Sequence, residues 1–275
     1  MTELRGKIIS EKIKSEIINK ISSNNNASKY ELAIIRIGEN SDQITYQNSA
    51  TKKLSECGIS VKSYNFEENI ENSKFGEEFK KINDDDNVRG ILLLKPLPKH
   101  IDEVEISKII DEKKDLDGIS PFNFHKVALG LDGNLPCTAM AVMEILKGYN
   151  IELSGKKVAI VNRSLVVGKS LAMLLLKEDA TVTICHSKTA NIKEITSSAD
   201  IVVFAIGRPK TFDESYIKEG AIVVDVSINL DENGKLCGDC DFESMSKKVG
   251  AITPVPGGVG AVTTIILGKH FIQNI

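Results

Sequence analysis

The chain has 275 residues, of which 41% are hydrophobic, and a formal net charge of −3. This length accommodates two domains with sizeable cores, and the near-neutral charge excludes a basic field that would bind nucleic acid or an anionic membrane. The N-terminal segment intersperses isoleucines with charges as an amphipathic helix does, unlike a signal peptide, and no apolar run approaches the roughly 20 residues of a transmembrane helix. We therefore expect a cytoplasmic protein with no nucleic-acid or membrane partner.

The cysteines and histidines predict neither a disulfide framework nor a metal site. The five cysteines are spread along the chain, and their odd number is typical of a reducing compartment. Cys237 and Cys240 have CxxC spacing but lack the second ligand pair that zinc requires, and the four histidines share no ligand spacing. We therefore predict no metal.

Strands and helices alternate through the first part of the chain. After the N-terminal helix, hydrophobic periodicity predicts strands at 31–37, 59–64 and 88–94, with helices at 41–57 and 69–82 between them. This rhythm implies a parallel sheet that is covered on both faces. Prolines 96 and 98 end the third strand at its carboxyl end, which is where open α/β sheets bind ligands.

The alternation resumes in the second part of the chain, after a turn-rich segment at 114–123 and a predicted helix at 138–148. Strands are predicted at 158–161, 181–185, 201–206, 221–226 and 251–253, and helices at 170–176, 191–199, 216–219 and 263–275. The pattern predicts an α/β fold of two domains. Residues 1–120, completed by the last helix at about 262–275, form an N-terminal α/β domain, and residues 121–261 form a Rossmann-type nucleotide-binding domain.

The segment from Asn162 to Gly168 joins a buried strand directly to a helix. Such a turn aims the free N–H groups and the positive dipole end of the helix at the carboxyl edge of the sheet, which suits a phosphate. Of the three glycines in the usual G-x-G-x-x-G fingerprint only Gly168 is present, and we expect Asn162 to replace the first because asparagine tolerates a left-handed φ. Taken alone, the loop fits a dinucleotide site and an ordinary βα turn equally well.

The residues after the next strand indicate which dinucleotide would bind. An NAD site normally has Asp or Glu there to hold the ribose 2′-OH, whereas this chain has Ser187, Lys188 and Thr189, with Arg163 in the preceding loop. Cations and hydroxyls suit a 2′-phosphate, so we favour NADP over NAD.

Short segments along the whole chain form one further pattern. They are Tyr46 with Gly58, Gly90-Ile-Leu-Leu with Pro96-Leu-Pro98, Lys114-Asp-Leu-Asp-Gly118, Pro136-Cys-Thr138, Arg163-Ser164 with Val167-Gly168, His186-Ser-Lys-Thr189, Asp225 with Ile228-Asn229, and Thr253-Pro-Val-Pro-Gly-Gly-Val-Gly260. Together they resemble the family of methylenetetrahydrofolate dehydrogenases and methenyltetrahydrofolate cyclohydrolases of one-carbon metabolism.

The resemblance implies an enzyme that oxidises 5,10-methylenetetrahydrofolate to 5,10-methenyltetrahydrofolate by transferring hydride to NADP, or in some members to NAD. It also implies a cleft between the two domains, and usually a homodimer. Tyr46 would stack on or hydrogen-bond the folate, and Asp117 would accept hydrogen bonds from the pterin. The implied substrate-binding residues are completed by Pro256, Gly257 and Gly258. The implied dinucleotide contacts are Asn162, Arg163, Ser164, Gly168, Ser187 and Ile228.

The chain departs from the family pattern where the second activity, the cyclohydrolase step, resides. The family's lysine, which activates the attack of water, is replaced by Ala50, and its partner glutamine by Leu94. Lys53 or Lys95 could substitute, but we expect loss of the step, because their positions on the helix and strand point them elsewhere. Asn162 and Ser227 stand where the family has glycine and Ala261 where it has proline, which predicts weaker cofactor binding.

These departures leave two alternatives to an active dehydrogenase. One is a non-catalytic relative that binds folate or nucleotide in a regulatory role. The other is a Rossmann dehydrogenase that acts on a different small substrate.

Overall fold

The computed structural model describes all residues from 1 to 275. Its strands are β1 (Thr2–Glu3), β2 (Glu31–Ile37), β3 (Ser60–Phe66), β4 (Val88–Leu93), β5 (Lys157–Val161), β6 (Thr181–Cys185), β7 (Ile201–Phe204), β8 (Ile222–Asp225), β9 (Asn229–Leu230), β10 (Leu236–Cys237) and β11 (Ala251–Ile252). Its helices are α1 (Gly6–Ser23), α2 (Ser41–Ser55), α3 (Asn72–Asp84), α4 (Glu103–Ile109), α5 (Pro121–Ala128), α6 (Cys137–Gly148), α7 (Ser170–Lys177), α8 (Ile192–Ser198), α9 (Phe242–Met245) and α10 (Gly260–Phe271).

Contacts between residues divide the chain into two compact units, each built from two chain segments. The six-stranded unit comprises Met1–Glu11 and Thr138–Thr263, and the three-stranded unit comprises Lys12–Cys137 and Thr264–Ile275. This division differs from the predicted domains at two places. The first residues join the six-stranded unit because β1 pairs with β11, and residues 121–137 join the three-stranded unit, where Cys137 bonds Asp117.

The six-stranded unit contains a parallel sheet with the order β1-β11-β8-β7-β5-β6. Four of the five residues of β5 are buried, as expected of a strand covered on both faces. Chain order runs in opposite directions on the two sides of the boundary between β5 and β7, because β6 follows on one side and β8 on the other. This boundary is the topological switch point at which open α/β sheets bind ligands.

The three-stranded unit contains a parallel sheet with the order β3-β2-β4. Alternate residues of β2 pack with α3, including Ile35 against a core that holds Phe75 and Phe79. The intervening residues point to the opposite face, where Arg36 donates through Nε to Gln47 Oε1 of α2 at 3.0 Å. The sheet therefore holds α2 against its second face, with its carboxyl end beside the first turns of that helix.

The predicted α/β alternation is confirmed, and the differences lie in short or terminal elements. β2 has the predicted bounds, whereas the last helix begins at Gly260 and not at 263. The helix predicted at 216–219 is a 3₁₀ turn at Glu214–Tyr216, which begins where the Asp213 carboxylate accepts from Ser215 N. The sequence prediction omitted β1, β9, β10, α4, α5 and α9. None of the helices combines the length and the apolar character needed to cross a bilayer.

Candidate functional site

The carboxyl edge of the six-stranded sheet is tied together by the side chain of Asn162. Its Nδ2 donates to Ala205 O, after β7, at 2.5 Å, and its Oδ1 accepts from Ser164 N at 2.7 Å and from Gly168 N at 3.2 Å. Because Asn162 follows β5, these bonds bridge the switch point and shape the turn into α7.

Asn162 lies in the turn as predicted, but the prediction that it replaces glycine by adopting a left-handed φ is wrong. The non-glycine residues with positive φ are Asn150, Asp179, Asn191 and Lys210, so Asn162 is not left-handed. Its side-chain amide is what the turn requires, because it bonds the segment after β7 on one side and the backbone of its own turn on the other. Gly168 is required for a different reason, because a Cβ there would collide with Asn162 O where the helix approaches the strand.

The residues predicted to touch a dinucleotide lie along one edge of the sheet. Asn162, Arg163 and Ser164 follow β5, Ser187 follows β6, and Ile228 follows β8, and the carboxyl ends of parallel strands share an edge. Arg163, Ser164 and Ser187 are exposed, and Ile228 is 57% exposed. The edge thus presents a guanidinium, two hydroxyls and an apolar side chain to solvent, a set that can bind a phosphate and a flat ring.

A cavity of about 240 Å³ opens at the same edge, between the segment after β8 and the glycine-rich loop before α10. Val226 and Ile228 line one side, and Pro256, Gly257 and Gly258 line the other. Gly257 has φ +105°, a conformation that L side chains rarely adopt, so the turn requires glycine there. A Cβ at Gly258 would lie 2.6 Å from Pro254 O, so that position must also stay small.

Asp225, at the end of β8, is a buried carboxyl in the wall of this cavity. Burial raises its pKa to about 6, although it accepts from Asp239 N at 3.0 Å and from Cys240 N at 2.8 Å. Desolvation of the anion therefore outweighs these two hydrogen bonds.

In the three-stranded unit, the structure brings Tyr46 and Asp117 together. Burial raises the pKa of the Tyr46 hydroxyl, and the nearby Cys137 and Asp117 raise it further, while a hydrogen bond with Thr264 opposes them. Asp117 is half-buried, its Oδ1 accepts from Cys137 N at 2.9 Å, and desolvation raises its pKa too. The Asp117 carboxylate therefore does not cap its own turn, and it faces a phenol in a region of low dielectric.

Ala50 and Leu94 place buried apolar side chains at the two positions where the family resemblance implies lysine and glutamine. Ala50 is on the buried face of α2 and is 0% exposed, and Leu94, whose N donates to Ile35 O at 2.9 Å, is 6% exposed. Lys53 is exposed, and the half-buried Lys95 forms an ion pair with Glu103. The charge of Lys95 is still close enough to lower the pKa of Asp117, as the weakest of its influences. Neither ammonium group takes the place of a buried lysine at position 50.

Three residues of this site were not predicted to function there. Cys137 lies in the Pro136-Cys-Thr138 segment of the family pattern, but Thr264 and His270 belong to no local sequence pattern. His270 Nδ1 lies 2.8 Å from Leu116 O and must donate, because a carbonyl only accepts. Both residues lie on α10, and they reach this site because residues 264–275 pack in the three-stranded unit.

The cysteines show no paired sulfurs. All five are free and buried, including Cys237 and Cys240. No cluster of three or more His, Cys, Asp or Glu side chains could hold a metal ion.

The strand order, the switch point and the phosphate-type loop define a two-domain α/β protein whose larger sheet is a Rossmann-like NAD(P)-binding domain. Residues 4–117 match the model of the tetrahydrofolate dehydrogenase/cyclohydrolase catalytic domain, and residues 136–275 match that family's NAD(P)-binding domain. The chain belongs to the tetrahydrofolate dehydrogenase/cyclohydrolase family, as the sequence resemblance predicted.

Individual relatives are similar over nearly their whole length. The bifunctional protein FolD of Clostridioides difficile strain 630 is 46% identical over 272 residues, which cover 98% of this chain and 95% of that protein. The crystal structure of the bifunctional enzyme FolD from Campylobacter jejuni has a TM-score of 0.97 at 42% identity, and the match covers 100% of this chain and 98% of that one. Trypanosoma brucei FolD, crystallised with NADP and an inhibitor, has a TM-score of 0.93 at 33% identity, covering 99% and 96%.

Proposed function

We propose that the protein oxidises 5,10-methylenetetrahydrofolate to 5,10-methenyltetrahydrofolate with NADP as the hydride acceptor, and that it hydrolyses the methenyl product weakly or not at all. The observation that carries the proposal is the half-buried pair of Tyr46 and Asp117, which is retained although Ala50, one helical turn from Tyr46, and Leu94 carry no polar group. Family membership supplies the substrate class.

Asp117 is suited to recognise the pterin. The amino and ring N–H groups of a pterin are donors, and the half-buried carboxylate of Asp117, which Cys137 N holds in place, can accept hydrogen bonds from them. Because burial disfavours the anion, a ligand that donates to it restores part of the lost solvation. Tyr46, on α2, lies close enough to pack against the same ligand.

The exposed edge of the six-stranded sheet fits NADP. No acidic side chain follows β6, whereas Ser187 and Lys188 do, and Arg163 follows β5. A guanidinium, an ammonium and a hydroxyl match a ribose 2′-phosphate. The Trypanosoma brucei relative was crystallised with NADP, which supports the same choice. NADP would supply the hydride acceptor, and the residues of this chain hold it and orient it.

The hydrolytic step requires proton chemistry that the apolar pair lacks. Hydrolysis of a methenyl cation needs a base or a positioned water, and neither Ala50 nor Leu94 can hold a proton or accept a hydrogen bond by its side chain. Hydride transfer depends mainly on positioning and tolerates that loss. The two activities therefore separate at these positions.

The test assays the two reactions separately on the wild-type protein, Ala50→Lys, Leu94→Gln and the double variant. We expect methenyl absorbance to accumulate with the wild type and NADP, and hydrolysis to rise at least tenfold (roughly, for one general catalyst) in the double variant. Ser49→Lys, at the exposed neighbouring position, is the control for an added charge.

Three outcomes would contradict the proposal. No turnover with either NADP or NAD, together with measurable ligand binding, would favour the non-catalytic relative. Oxidation of another small substrate that folate analogues do not inhibit would favour a different Rossmann dehydrogenase. Wild-type hydrolysis as fast as hydride transfer would show that the apolar pair does not disable the second step.

We also propose a homodimer, which the family resemblance implies. Light scattering of the purified protein would measure its mass against the 30.1 kDa of one chain.

A further inference from the structure

Asp239 is a fully buried carboxylate that cross-links two loops at the carboxyl edge of the six-stranded sheet. It accepts five hydrogen bonds, from Ile206 N (2.5 Å), Gly207 N (3.3 Å), Arg208 N (2.8 Å), Ser227 Oγ (2.8 Å) and Asn229 Nδ2 (3.0 Å). The three backbone donors follow β7, and the two side-chain donors follow β8. Since a buried anion is stable only when such donors surround it, this carboxylate fixes the distance between the loops.

Ser227 connects this carboxylate to the cavity wall. Its neighbours Val226 and Ile228 line the cavity at the sheet edge, whereas Ser227 does not. Its hydroxyl turns away, donates to Asp239 Oδ2 at 2.8 Å and accepts from Gly207 N at 3.0 Å. The added side chain that predicted weaker cofactor binding is thus engaged behind the wall.

Glycine, which the family resemblance implies at this position, has no side chain and could not make either bond. The amide of Gly207 would keep only its longer bond of 3.3 Å to Asp239, and the wall would keep only the link through Asn229. The Ser227 hydroxyl therefore adds hydrogen bonds between the two loops that a glycine could not provide.

We propose that Ser227 is a positioning residue, which acts through Asp239 to hold the 226–228 wall and the 206–208 loop at the spacing that the nicotinamide half of the dinucleotide requires. This inference rests on the proposed function, because it assumes that the cavity receives the dinucleotide. Ser227 does not touch the cofactor itself, so it alters the shape of the site and adds no chemical group to it.

The test compares Ser227→Ala, Ser227→Thr and Asp239→Asn with the wild type. In Ser227→Ala we expect the NADP KM and the NADPH dissociation constant to rise about fivefold, the effect of about one hydrogen bond, with kcat changed less. Hydrogen exchange at the Gly207 amide should accelerate. Ser227→Thr keeps the hydroxyl, so its NADP KM and its NADPH dissociation constant should match those of the wild type. Asp239→Asn should produce the larger change in the same direction, and if it fails to fold, the serine variants still decide.

Ser246→Ala is the matched control, since Ser246 Oγ also donates one hydrogen bond, to Phe242 O at 2.6 Å, but lies outside the cavity wall. A merely structural role would lower the melting temperature of both alanine variants without moving the NADP KM, and that result would overturn the proposal. Unchanged Gly207 exchange in Ser227→Ala would do the same. A wild type that binds NADPH without turnover would instead count against the proposed function, because binding and exchange would still report on Ser227.

Discussion

At the scale of single residues, the proposed function predicts that folate binding depends on Asp117. In Asp117→Asn, the amide oxygen can still accept from Cys137 N, but the amide nitrogen would face the donors of the pterin. Losing charge-assisted hydrogen bonds should lower kcat/KM for methylenetetrahydrofolate about 100-fold. The NADPH dissociation constant should stay unchanged. Steady-state kinetics and a fluorescence titration measure the two effects. Asp42→Asn, at an exposed position of the same unit, is the control, and equal losses in both variants would refute a specific role for Asp117.

Asp225 predicts a pH dependence of stability with a definite sign. Its pKa is raised to about 6 in the folded state, above the ordinary value of 3.8. Between these two pH values the native protein therefore binds more protons than the unfolded chain. The contribution of this carboxyl to the stability of the fold consequently decreases as the pH rises from 4 to 6. The shift corresponds to about 3 kcal/mol over that range.

Urea unfolding of the wild type and Asp225→Asn at several pH values isolates this effect. The stability of the wild type relative to the variant should fall as the pH rises from 4 to 6 and then stay level. A relative stability that rises with pH would mean that the bonds from Asp239 N and Cys240 N depress the pKa of Asp225 below its ordinary value.

At the scale of elements, α2 carries Tyr46 and Ala50 and depends on its N-terminal cap. Asn40 Oδ1 accepts from Asp42 N at 3.0 Å and from Gln43 N at 3.1 Å. Asn40→Ala should lower the free energy of unfolding by about 1 kcal/mol, as the loss of an N-cap usually does.

Asn26→Ala is a matched control for the cap. Asn26 precedes the 3₁₀ turn at Ala27–Lys29 and makes no side-chain cap bond there, so its replacement should change stability by a few tenths of a kcal/mol (roughly, for an exposed surface site). Equal destabilisation in urea titrations of the two variants would contradict the assignment of Asn40 as the cap.

The elements also show what the sequence could and could not predict. Strands such as β2 can be predicted because nearly all of their residues are buried, which gives an apolar stretch that in β2 only Arg36 interrupts after its first residue. The omitted helices α4 and α5 depend on single caps, at Asp102 and Ser120. The strands β9 and β10 are two residues long, too short for periodicity to appear.

The candidate sites divide in the same way. The place of a continuous motif, such as Asn162 to Gly168 after β5 at the sheet edge, could be predicted from the sequence alone. The bond from Ser227 to Asp239 could not be, because Asp239 lies within the Cys237–Cys240 segment, for which the sequence analysis predicted no functional role. Such partners are set by the packing of the loop against the sheet edge, which no local pattern encodes.

At the scale of the whole molecule, the three-stranded unit needs the last twelve residues of the chain, 264–275. From there His270 donates to Leu116 O, and Asn274 Nδ2 donates to Arg89 O at 3.0 Å. Deletion of 264–275 should therefore abolish cooperative unfolding of this unit, since these groups satisfy buried carbonyls. Calorimetry would show the lost transition.

The substitution His270→Asn tests with a single side chain whether the three-stranded unit depends on α10. It keeps an N–H donor near Leu116 O, so we expect the unit to fold with only a lowered transition temperature. A truncated chain that melts like the wild type would show that α10 does not complete the three-stranded unit.

The pairing of β1 with β11 joins Thr2 to Ala251 and so has a consequence for biosynthesis. In a nascent chain, β1 leaves the ribosome about 250 residues before β11, the strand with which it pairs. At bacterial or eukaryotic elongation rates this delay is roughly 10 to 50 s. During that time β1 has no partner, because β11, the strand with which it will pair, is not yet made, and β8 remains the edge of the sheet. The sheet therefore reaches its full width only after β11 has emerged.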